Sequence, residues 1–346
     1  MFEMSDIDSL NGEENLFPPS LEINPLKLFD IAKSQGRPLY AAAPMVRYSK
    51  LAFRETVAQY GVDLTWTPMI LAKEFNRSLA ARDSDFTLSP SSPPTIAQLG
   101  VNSPLEISRC TTLLSPFING IDINCGCPQS WACAETLGAA LMHKRELVAS
   151  MITSAQSSLH SLGYQDKKTV SVKIRIHKDL RETVDFVRTV QEAGVDFITI
   201  HGRMRSTPSS QPVNLEAIKV VAEHCSVPTL SNGDVFTLSD VKAHVEKTGV
   251  DGVMAARGLL ENPGMFRKDG GEGCSWDVVE VFMNEVARRP IPFKLVVHHL
   301  SEMVGSDRSQ RGSTLLRKEE RKEMMACLSM GELIDFLDGV REIRRL

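Results

Sequence analysis

The segment GIDINCGCP, residues 120–128, decides how the rest of the chain is interpreted. Its first half, GIDIN, is an apolar, β-branched run that is typical of a buried strand. The strand ends in a turn that presents Asn124 and Cys127. In a barrel of parallel strands, the carboxyl ends of the strands carry the chemistry. Free cysteine is also among the most buried residue types, so this segment alone leaves a core cysteine and a reactive one equally open.

A strand–helix rhythm extends from this segment in both directions along the chain. Strands are predicted at 39–43, 63–67, 95–99, 120–124, 170–176, 197–200, 228–231 and 252–255. The predicted helices between them cover 49–60, 73–81, 104–114, 134–162, 181–193, 215–224 and 239–247. Ser49 is the expected cap of the first of these helices, and residues 83–94, with three prolines, are predicted as a loop. Eight strands alternating with helices predict an α/β fold, the (β/α)8 TIM barrel.

The two ends of the chain differ from this rhythm. Residues 1–24 are polar, acidic and proline-containing, which predicts a disordered tail, and a short helix is predicted at 25–35. Beyond Pro263 only helices are predicted, at 278–287, 293–303, 317–327 and 332–343. We therefore expect an acidic tail with a lead-in helix (1–36), a catalytic barrel (37–268) and a small all-helical C-terminal domain (275–346).

Composition limits the function classes. The 346 residues suffice for one large domain and a smaller one. No apolar run approaches a membrane span and the N-terminus is too acidic for a signal or transit peptide, so we expect a cytoplasmic monomer, with the nucleus as the alternative address. Seven cysteines without paired or zinc-like spacing indicate a reducing compartment and no metal site. Residues 1–36 carry seven acids against Lys27 and Lys33, which leaves the remaining chain near neutral, so the net charge of −4 does not exclude a nucleic-acid partner.

Polar residues follow the predicted strands at their carboxyl ends. NGD at 232–234 follows the seventh strand and ARG at 256–258 follows the eighth, which is the usual phosphate-binding arrangement of this fold. The ligand is therefore expected to carry a phosphate, with polar groups of strands three, five and six facing its other end. A strand lysine such as Lys173 is costly inside a barrel unless it meets a charge. Arg175 and Arg203 are either ligand-binding or solvated charges of the rim.

Seven short motifs resemble the tRNA-dihydrouridine synthases in order and spacing, over residues 40–266. They are APM at 43–45, AQLG at 97–100, INCGCP at 123–128, VKIR at 172–175, IHGR at 200–203, NGD at 232–234 and ARG at 256–258. APMVRYSKLAFR at 43–54, HHL at 298–300 and RKEER at 317–321 resemble the eukaryotic branch that acts on positions 20a and 20b of the D-loop. Two departures are Met204, where many members have Thr, and AAR at 255–257, which replaces a more common GR.

The resemblance implies FMN as cofactor and NADPH, or NADH, as reductant. Hydride from flavin N5 would add at C6 of uridine, and Cys127 would protonate C5, since a thiol with a pKa of about 8.5 is mostly protonated at neutral pH. Asn124, Arg175 and Arg203 are expected at the substrate. The residues expected to bind the cofactor are Pro44, Met45, Val46, Gln98, Lys173, His201, Asn232, Gly233, Asp234, Ala256 and Arg257.

The target uridine must leave the folded tRNA to reach the flavin, which requires an RNA-binding surface. The C-terminal helices offer a basic cluster for it, although interspersed glutamates leave a solvated helix face as the alternative. Two other functions stay open. One is a flavin barrel that acts on a free pyrimidine, as dihydroorotate dehydrogenases do, and the other is a catalytically idle RNA-binding relative. The basic cluster consists of Arg308, Arg311, Arg317, Lys318, Arg321 and Lys322.

Overall fold

The computed structural model describes residues 17–268, 273–305 and 314–343. Nine parallel strands within these residues form one sheet, and because β2 pairs with both β1 and β4 the sheet closes into a barrel of eight strands. The ninth, β3, has two residues and extends the carboxyl end of β4. The (β/α)8 prediction is confirmed. The strands are β1 (Leu39–Ala42), β2 (Leu64–Trp66), β3 (Ile70–Leu71), β4 (Thr95–Gly100), β5 (Gly120–Cys125), β6 (Thr169–Arg175), β7 (Phe197–His201), β8 (Thr229–Asn232) and β9 (Gly252–Ala255).

Helices precede, separate and follow the strands. Three 3-10 segments lie at Pro19–Glu22, Ser115–Phe117 and Gly138–His143. The first eleven α-helices are α1 (Pro25–Ser34), α2 (Leu51–Ala58), α3 (Ala72–Arg77), α4 (Leu79–Asp85), α5 (Pro104–Leu114), α6 (Ser130–Ala134), α7 (Arg145–Ser161), α8 (Leu180–Glu192), α9 (Leu215–Ala222), α10 (Leu238–Thr248) and α11 (Arg257–Glu261). The C-terminal helices are α12 (Trp276–Arg288), α13 (Phe293–Met303), α14 (Lys318–Ala326) and α15 (Met330–Ile343).

Large apolar side chains fill the amino-terminal end of the barrel. Trp66, Phe197 and Leu230 are fully buried there, and Phe29 of α1 packs on Phe197 with 5.6 Å between ring centroids. The helix predicted at 25–35, observed as α1, therefore closes the bottom of the barrel. Because this end is plugged by apolar groups, the polar residues of the strands are concentrated at the carboxyl end.

The predicted disorder of residues 1–24 is wrong for the part that the structure describes, while residues 1–16 lie outside the described residues. The Ser20 hydroxyl donates to the Ser92 carbonyl oxygen at 2.6 Å. The side-chain amide of Asn119 donates to the carbonyl oxygens of Ser20 and Ile23 at 2.6 and 2.9 Å. A polar composition concealed this order because the partners are distant in sequence.

Two local predictions on the first helices are also wrong. Lys50, and not Ser49, occupies the N-cap of α2. The Ser49 hydroxyl instead bonds the backbone N–H and carbonyl of Met45, at 3.0 and 3.1 Å, which closes the turn after β1. The helix predicted before the third strand is broken at Ser78, whose side chain caps α4, and α4 continues into the region predicted as a loop.

The C-terminal helices α12 and α13 pack against the helix that follows β1. Phe282 and Leu300 belong to the same apolar cluster as Phe53 of α2. His299 is fully buried among the rings of Tyr48, Phe53 and Phe282, with centroid distances of 5.0, 5.0 and 4.9 Å. Among the described residues, no helix combines the length and apolar character that a membrane crossing requires.

Candidate active site at the carboxyl ends of the strands

The strand register places polar side chains in layers near the barrel mouth. Gln98 of β4 lies opposite Asp122 of β5, which lies opposite Ser171 of β6. One layer further toward the carboxyl end, Asn124 lies opposite Lys173. Paired residues of parallel strands face the same side of the sheet, so each layer brings its polar groups together.

A set of hydrogen bonds fixes the turn that carries Cys127. The side-chain oxygen of Asn124 accepts from the backbone N–H groups of Gly126 and Cys127, at 3.0 and 2.8 Å. The guanidinium of Arg175 donates to the Gly126 carbonyl at 2.6 Å, and the Ala139 N–H donates to the Cys127 carbonyl at 2.9 Å. The turn is thus held from two neighbouring strands and from the segment that follows it.

Glycine is required at position 138 because the chain passes directly beneath Cys127 there. Gly138 has a φ of +61°, which side chains rarely adopt. A Cβ at this position would lie 2.6 Å from the Cys127 carbonyl oxygen and 2.8 Å from its Cβ. The sequence alone gives no signal for this glycine, because its role depends on the close approach of two loops.

The two cysteines of the turn have different environments. Cys125 is fully buried, whereas Cys127 is partly exposed. Burial raises the pKa of the Cys127 thiol above its ordinary value, with the Gln129 backbone N–H and two nearby cations opposing the shift. The thiol is therefore protonated at neutral pH, as a proton donor must be. Burial raises the pKa of Cys125 further, which leaves it an inert core thiol.

Lys173 of β6 lies opposite Asn124 in the same layer of the mouth. Its ammonium group has no hydrogen-bond or ion-pair partner in the part of the chain that the structure describes. Burial lowers its pKa to about 8, assisted by the Arg175 charge and opposed by Asp122. The group is still mainly charged at neutral pH, and a partly buried, unpaired ammonium favours an anionic ligand beside it.

Arginine side chains line a second part of the mouth, at the ends of β7, β8 and β9. Arg203 is only 3% exposed and bonds Asp234 at 2.5 Å, and Asp234 also accepts from Arg257 at 2.8 Å. The solvated-rim alternative is therefore wrong for Arg203. The Val213 N–H donates to the same carboxylate at 2.9 Å. Asp234 thus holds both arginines, and Asn232 ties β8 to β9 by donating to the Met254 carbonyl at 2.8 Å.

His201 is neutral in this environment. Burial lowers its pKa, and the charges of Lys173, Arg175, Arg203 and Arg257 lower it further. The guanidinium of Arg203 lies 3.3 Å from Nε2 of His201. Because a guanidinium can only donate, Nε2 accepts and the ring hydrogen lies on Nδ1, where it can be donated to a ligand.

Small residues shape a cavity of about 100 Å³ between these arginines. Gly233 has a φ of +119°, and a Cβ there would lie 3.0 Å from the His201 ring. A Cβ on Gly258 would overlap the Val235 carbonyl oxygen. Ala256, at the N-cap of α11, is also part of the wall. The cavity is lined by Arg175, Arg203 and Arg257 against one carboxylate, so it favours an anion.

The remaining predicted cofactor residues lie in two other places. Pro44, Met45 and Val46 form the turn after β1, and Val46 is 52% exposed. Gln98 is buried, donating to Asp122 and accepting from Asn124. One N–H hydrogen and one lone pair of its amide are left for a ligand.

The basic cluster of the C-terminal helices is only partly available. Arg308 and Arg311 lie outside the described residues. Lys318, Arg321 and Lys322 of α14 line one shallow cavity. Arg321 donates to the Ser301 hydroxyl at 2.9 Å and so connects α14 to α13.

One group of possible metal ligands lies beside the mouth. Ligand atoms of His143, His177 and Glu182 lie within 4.8 Å of one another. Both ring nitrogens of His177 are already hydrogen-bonded, to the Thr183 hydroxyl and the Met142 carbonyl, each at 3.0 Å. Three cations, Arg175, Lys178 and Arg205, line the same cavity, which disfavours a bound cation.

A closed parallel barrel with a protonated thiol, an unpaired lysine and an arginine-lined cavity that favours an anion, all at the carboxyl ends of its strands, has the arrangement of a TIM-barrel enzyme. Residues 41–326 match the family described as dihydrouridine synthase (Dus), and the chain belongs to this family.

Relatives cover nearly the whole chain. The chain is 41% identical over 94% of its length to a Saccharomyces cerevisiae protein named tRNA-dihydrouridine(20a/20b) synthase [NAD(P)+], covering 86% of that protein. A human protein with the same name and the suffix "-like" is 39% identical over 91% of the chain and 93% of its own length. A mouse tRNA-dihydrouridine(16/17) synthase-like protein is 31% identical over 79% of the chain and 56% of its own length.

The fold is also shared with distant solved structures. DHODH from Eimeria tenella is 14% identical, with a TM-score of 0.50 over 74% of this chain and 82% of that one. This likeness concerns the barrel alone.

Proposed function

We propose that this protein reduces the C5–C6 double bond of uridine in tRNA to give dihydrouridine, with FMN as cofactor and NADPH or NADH as reductant. One observation carries the proposal. A partly exposed thiol, Cys127, is protonated and rigidly held at a strand end, beside the unpaired cation Lys173. Reduction of a double bond conjugated to a carbonyl needs a proton donor at one carbon, and this is the group that the mouth offers for it.

The residues present fit FMN. The arginine-lined cavity and the glycines that shape it suit the phosphate, with Arg257 and the Nδ1 hydrogen of His201 as donors. Lys173 suits the pyrimidine edge of the isoalloxazine, where reduction places negative charge. When bound, FMN would supply hydride that originates from the nicotinamide. Gln98 and the turn at 44–46 would contact the ring.

The chain's own residues would handle the proton and the substrate. Cys127 holds its proton at Sγ for transfer to C5 of the uridine. Asn124 and Arg175 hold the turn, and Arg175 also lines two cavities, so it can contact the nucleotide as well. Arg203 is committed to Asp234, so we assign it to shaping the anion cavity and not to the substrate.

Positions 20a and 20b are the proposed targets. The relatives named for these positions are 39 to 41% identical over more than nine tenths of this chain, whereas one named for positions 16 and 17 is 31% identical over a smaller part. The C-terminal helices 275–346 are proposed to contact the tRNA through the exposed face of α14.

The proposal is tested by incubating the protein with FMN, NADPH and unmodified tRNA, and by mapping dihydrouridine by mass spectrometry of nuclease fragments. We expect a yellow protein whose flavin spectrum bleaches with NADPH, and a gain of two hydrogens on fragments that contain position 20a or 20b. A colourless protein that binds no added FMN would refute the cofactor, and modification confined to free uridine would refute the tRNA substrate.

A further inference from the structure

We propose that Asp122 is a positioning residue for Cys127, and that it acts through the amides of Gln98 and Asn124. The inference extends the function proposed above and rests on it for the role of Cys127. Asp122 lies inside the strand and its carboxylate does not reach the turn, so its effect must be carried by the side chains between them.

A continuous chain of hydrogen bonds joins the carboxylate to the turn. The Gln98 side-chain nitrogen donates to Asp122 at 2.7 Å. The Asn124 side-chain nitrogen donates to the Gln98 oxygen at 2.7 Å. The Asn124 oxygen accepts the N–H groups of Gly126 and Cys127. Asp122, Gln98 and Asn124 are 0%, 1% and 8% exposed, so water has little access with which to replace these bonds.

The carboxylate determines which group donates and which accepts in each of these hydrogen bonds. An ionised carboxylate can only accept, so Gln98 must present its nitrogen to Asp122 and its oxygen to Asn124. Asn124 must then present its nitrogen to Gln98 and its oxygen to the turn, where two N–H donors require an acceptor. Both ends of the chain thus demand the same orientation of both amides. An apolar residue at 122 would leave the Gln98 nitrogen without its acceptor and remove this constraint.

The surroundings keep Asp122 in its accepting role. Its second oxygen accepts from the Ser171 hydroxyl at 2.8 Å, and the charge of Lys173 lies nearby. Burial raises the pKa of Asp122 to about 6, so the carboxyl group is mainly ionised at neutral pH. A buried carboxylate is costly to keep ionised. At a position with only a structural role, an apolar residue would stabilise the strand better, so an aspartate here indicates a further role.

The first test compares substitutions at Asp122 itself. Asp122→Asn can still present its oxygen to Gln98 and its nitrogen to Ser171, so it should retain the turn, whereas Asp122→Leu should not. Two readouts are used, the rate of tRNA reduction by the NADPH-reduced holoenzyme and the rate of Cys127 alkylation by iodoacetamide. For Asp122→Leu we expect tRNA reduction to fall about tenfold to a hundredfold, since misplacement by about 1 Å has effects of this size. Cys127 alkylation should rise as the turn loosens.

A polarity exchange gives the sharper test. Asn124→Asp places an acceptor against the Gln98 oxygen, and Gln98 cannot satisfy both neighbours at once. Adding Asp122→Asn lets Gln98 turn over, because the aspartate at 124 accepts from its nitrogen and the asparagine at 122 donates to its oxygen. We expect Asn124→Asp alone to raise the alkylation rate of Cys127, and the double variant to return that rate toward the wild-type value. Both proteins carry an aspartate at 124, but the single variant also keeps the carboxylate at 122, so a further variant must separate the loss of that charge from the restored hydrogen bonds.

A second double variant distinguishes restored hydrogen bonding from the mere loss of the carboxylate at 122. Asn124→Asp with Asp122→Leu also removes the second carboxylate, but it offers no donor to the Gln98 oxygen. If asparagine at 122 restores the slow alkylation of Cys127 and leucine does not, the hydrogen-bond chain is supported. Equal restoration by both residues, or by neither, overturns the proposal. Alkylation is measured peptide by peptide, with Cys327 of the same protein as the internal reference.

Ser171→Ala is the matched control, since it removes a partner of Asp122 without breaking the chain to Cys127. We expect this variant to leave Cys127 alkylation within about twofold of the wild-type rate. Because Gln98 would also contact the flavin ring, Cys127 alkylation and not flavin reduction is the readout that decides the positioning role. If the wild-type protein reduces no tRNA, the proposed function fails while the alkylation pattern still decides the positioning role.

Discussion

The barrel mouth has two halves that are held together by different interactions, hydrogen bonds in one and ion pairs in the other. In the thiol half, formed by Asp122, Gln98, Asn124 and Cys127, two hydrogen bonds of 2.7 Å join three side chains, and one of 2.8 Å joins Asn124 to the Cys127 backbone N–H. In the anion half, formed by His201, Arg203, Asp234 and Arg257, ion pairs at 2.5 and 2.8 Å hold two arginines around one carboxylate.

The difference follows from what each half must do. Directional bonds through neutral amides hold a proton donor in place without changing its charge. Clustered cations with small neighbours provide affinity for an anion, and they tolerate variation in geometry better because the Coulomb interaction falls slowly with distance. Substitutions in the thiol half should therefore affect the chemical step, and those in the anion half should affect binding of the flavin.

The largest effect on dihydrouridine formation is expected from Cys127→Ala. Loss of a general acid typically costs about 10²-fold to 10⁴-fold, while flavin binding and NADPH oxidation should remain. The matched control is Cys125→Ala, which alters only a buried thiol and should mainly affect stability. Steady-state formation of dihydrouridine, measured by mass spectrometry, distinguishes them. If Cys125→Ala were the inactive variant, the assignment of the turn would be wrong.

Arg257→Ala should weaken FMN binding about tenfold, because a charge-assisted hydrogen bond to phosphate contributes about 1.5–3 kcal/mol and Arg203 remains in place. The measurement is a fluorescence titration of the apoprotein with FMN. The rate of tRNA reduction at saturating FMN should change little. Arg205→Ala serves as the control, since Arg205 lies on the rim outside the arginine-lined cavity. Equal affinities of the two variants would argue against a phosphate at Arg257.

Neutralising the basic face of α14 should weaken tRNA binding. It should leave the chemical step of the thiol half and the flavin binding of the anion half unchanged. Arg317, Lys318 and Lys322 are changed together to Gln, and Arg321 is kept because it bonds Ser301. Removing one cation from a phosphate lowers the slope of log K against log salt by about 0.7–0.9. We expect a partial loss of affinity, since Lys322 also pairs with Glu319 at 3.1 Å.

The control for α14 is the pair Lys27→Gln and Lys33→Gln on α1, at the opposite end of the barrel. Titrations of labelled tRNA at several salt concentrations give the slopes. If the α14 variant and the α1 variant show the same slope as wild type, the barrel rim carries the RNA, with Arg47, Lys50 and Arg205 as the next candidates.

The smallest effect on activity is expected from His299→Phe, which tests how the C-terminal helices dock. Burial lowers the pKa of His299 to about 4, from an ordinary value of about 6.5. Between these values the unfolded chain binds a proton that the folded protein excludes, so stability falls as pH decreases from 6.5 toward 4. The variant should lose less stability over this range, with a difference of up to about 3 kcal/mol.

Urea unfolding at pH 7 and pH 5 measures about 2 kcal/mol of this difference, since pH 5 lies about 1.5 units below the ordinary pKa. Comparison with wild type cancels the other buried histidines. His298→Gln is the control, because His298 is the exposed neighbour of His299. An identical pH dependence in His299→Phe and wild type would show that folding does not lower the pKa of His299.

Local patterns were sufficient for the architecture. The bounds 252–255 for β9 and 293–303 for α13 were predicted as observed, because an apolar run between turn residues, or a clear helical period, determines each element. The same patterns located the strand ends, and hence the residues that the mouth brings together. The choice of Cys127 over Cys125 came from the resemblance of the GCP motif, and of these two thiols only that of Cys127 is partly exposed.

Long-range side-chain pairing accounts for most of what the sequence did not reveal. The pairing of Arg203 with Asp234 joins residues of different loops, and local patterns give no signal for it. Asp122 was predicted only as part of a strand, although a carboxylate within an apolar run is itself a signal of a polar partner. The order of residues 17–24 depends on Ser92 and Asn119, which are far away in the chain.

The central claim is that the thiol half completes a reduction that the flavin site begins, and an anaerobic single-turnover experiment tests it most directly. The FMN-loaded protein is reduced with one equivalent of NADPH and mixed with unmodified tRNA, while flavin absorbance and tRNA mass are followed together. For wild type we predict that flavin colour returns as tRNA gains two hydrogens, and for Cys127→Ala that the flavin remains bleached and the tRNA unchanged. Return of colour and mass gain in Cys127→Ala at the wild-type rate would contradict the account.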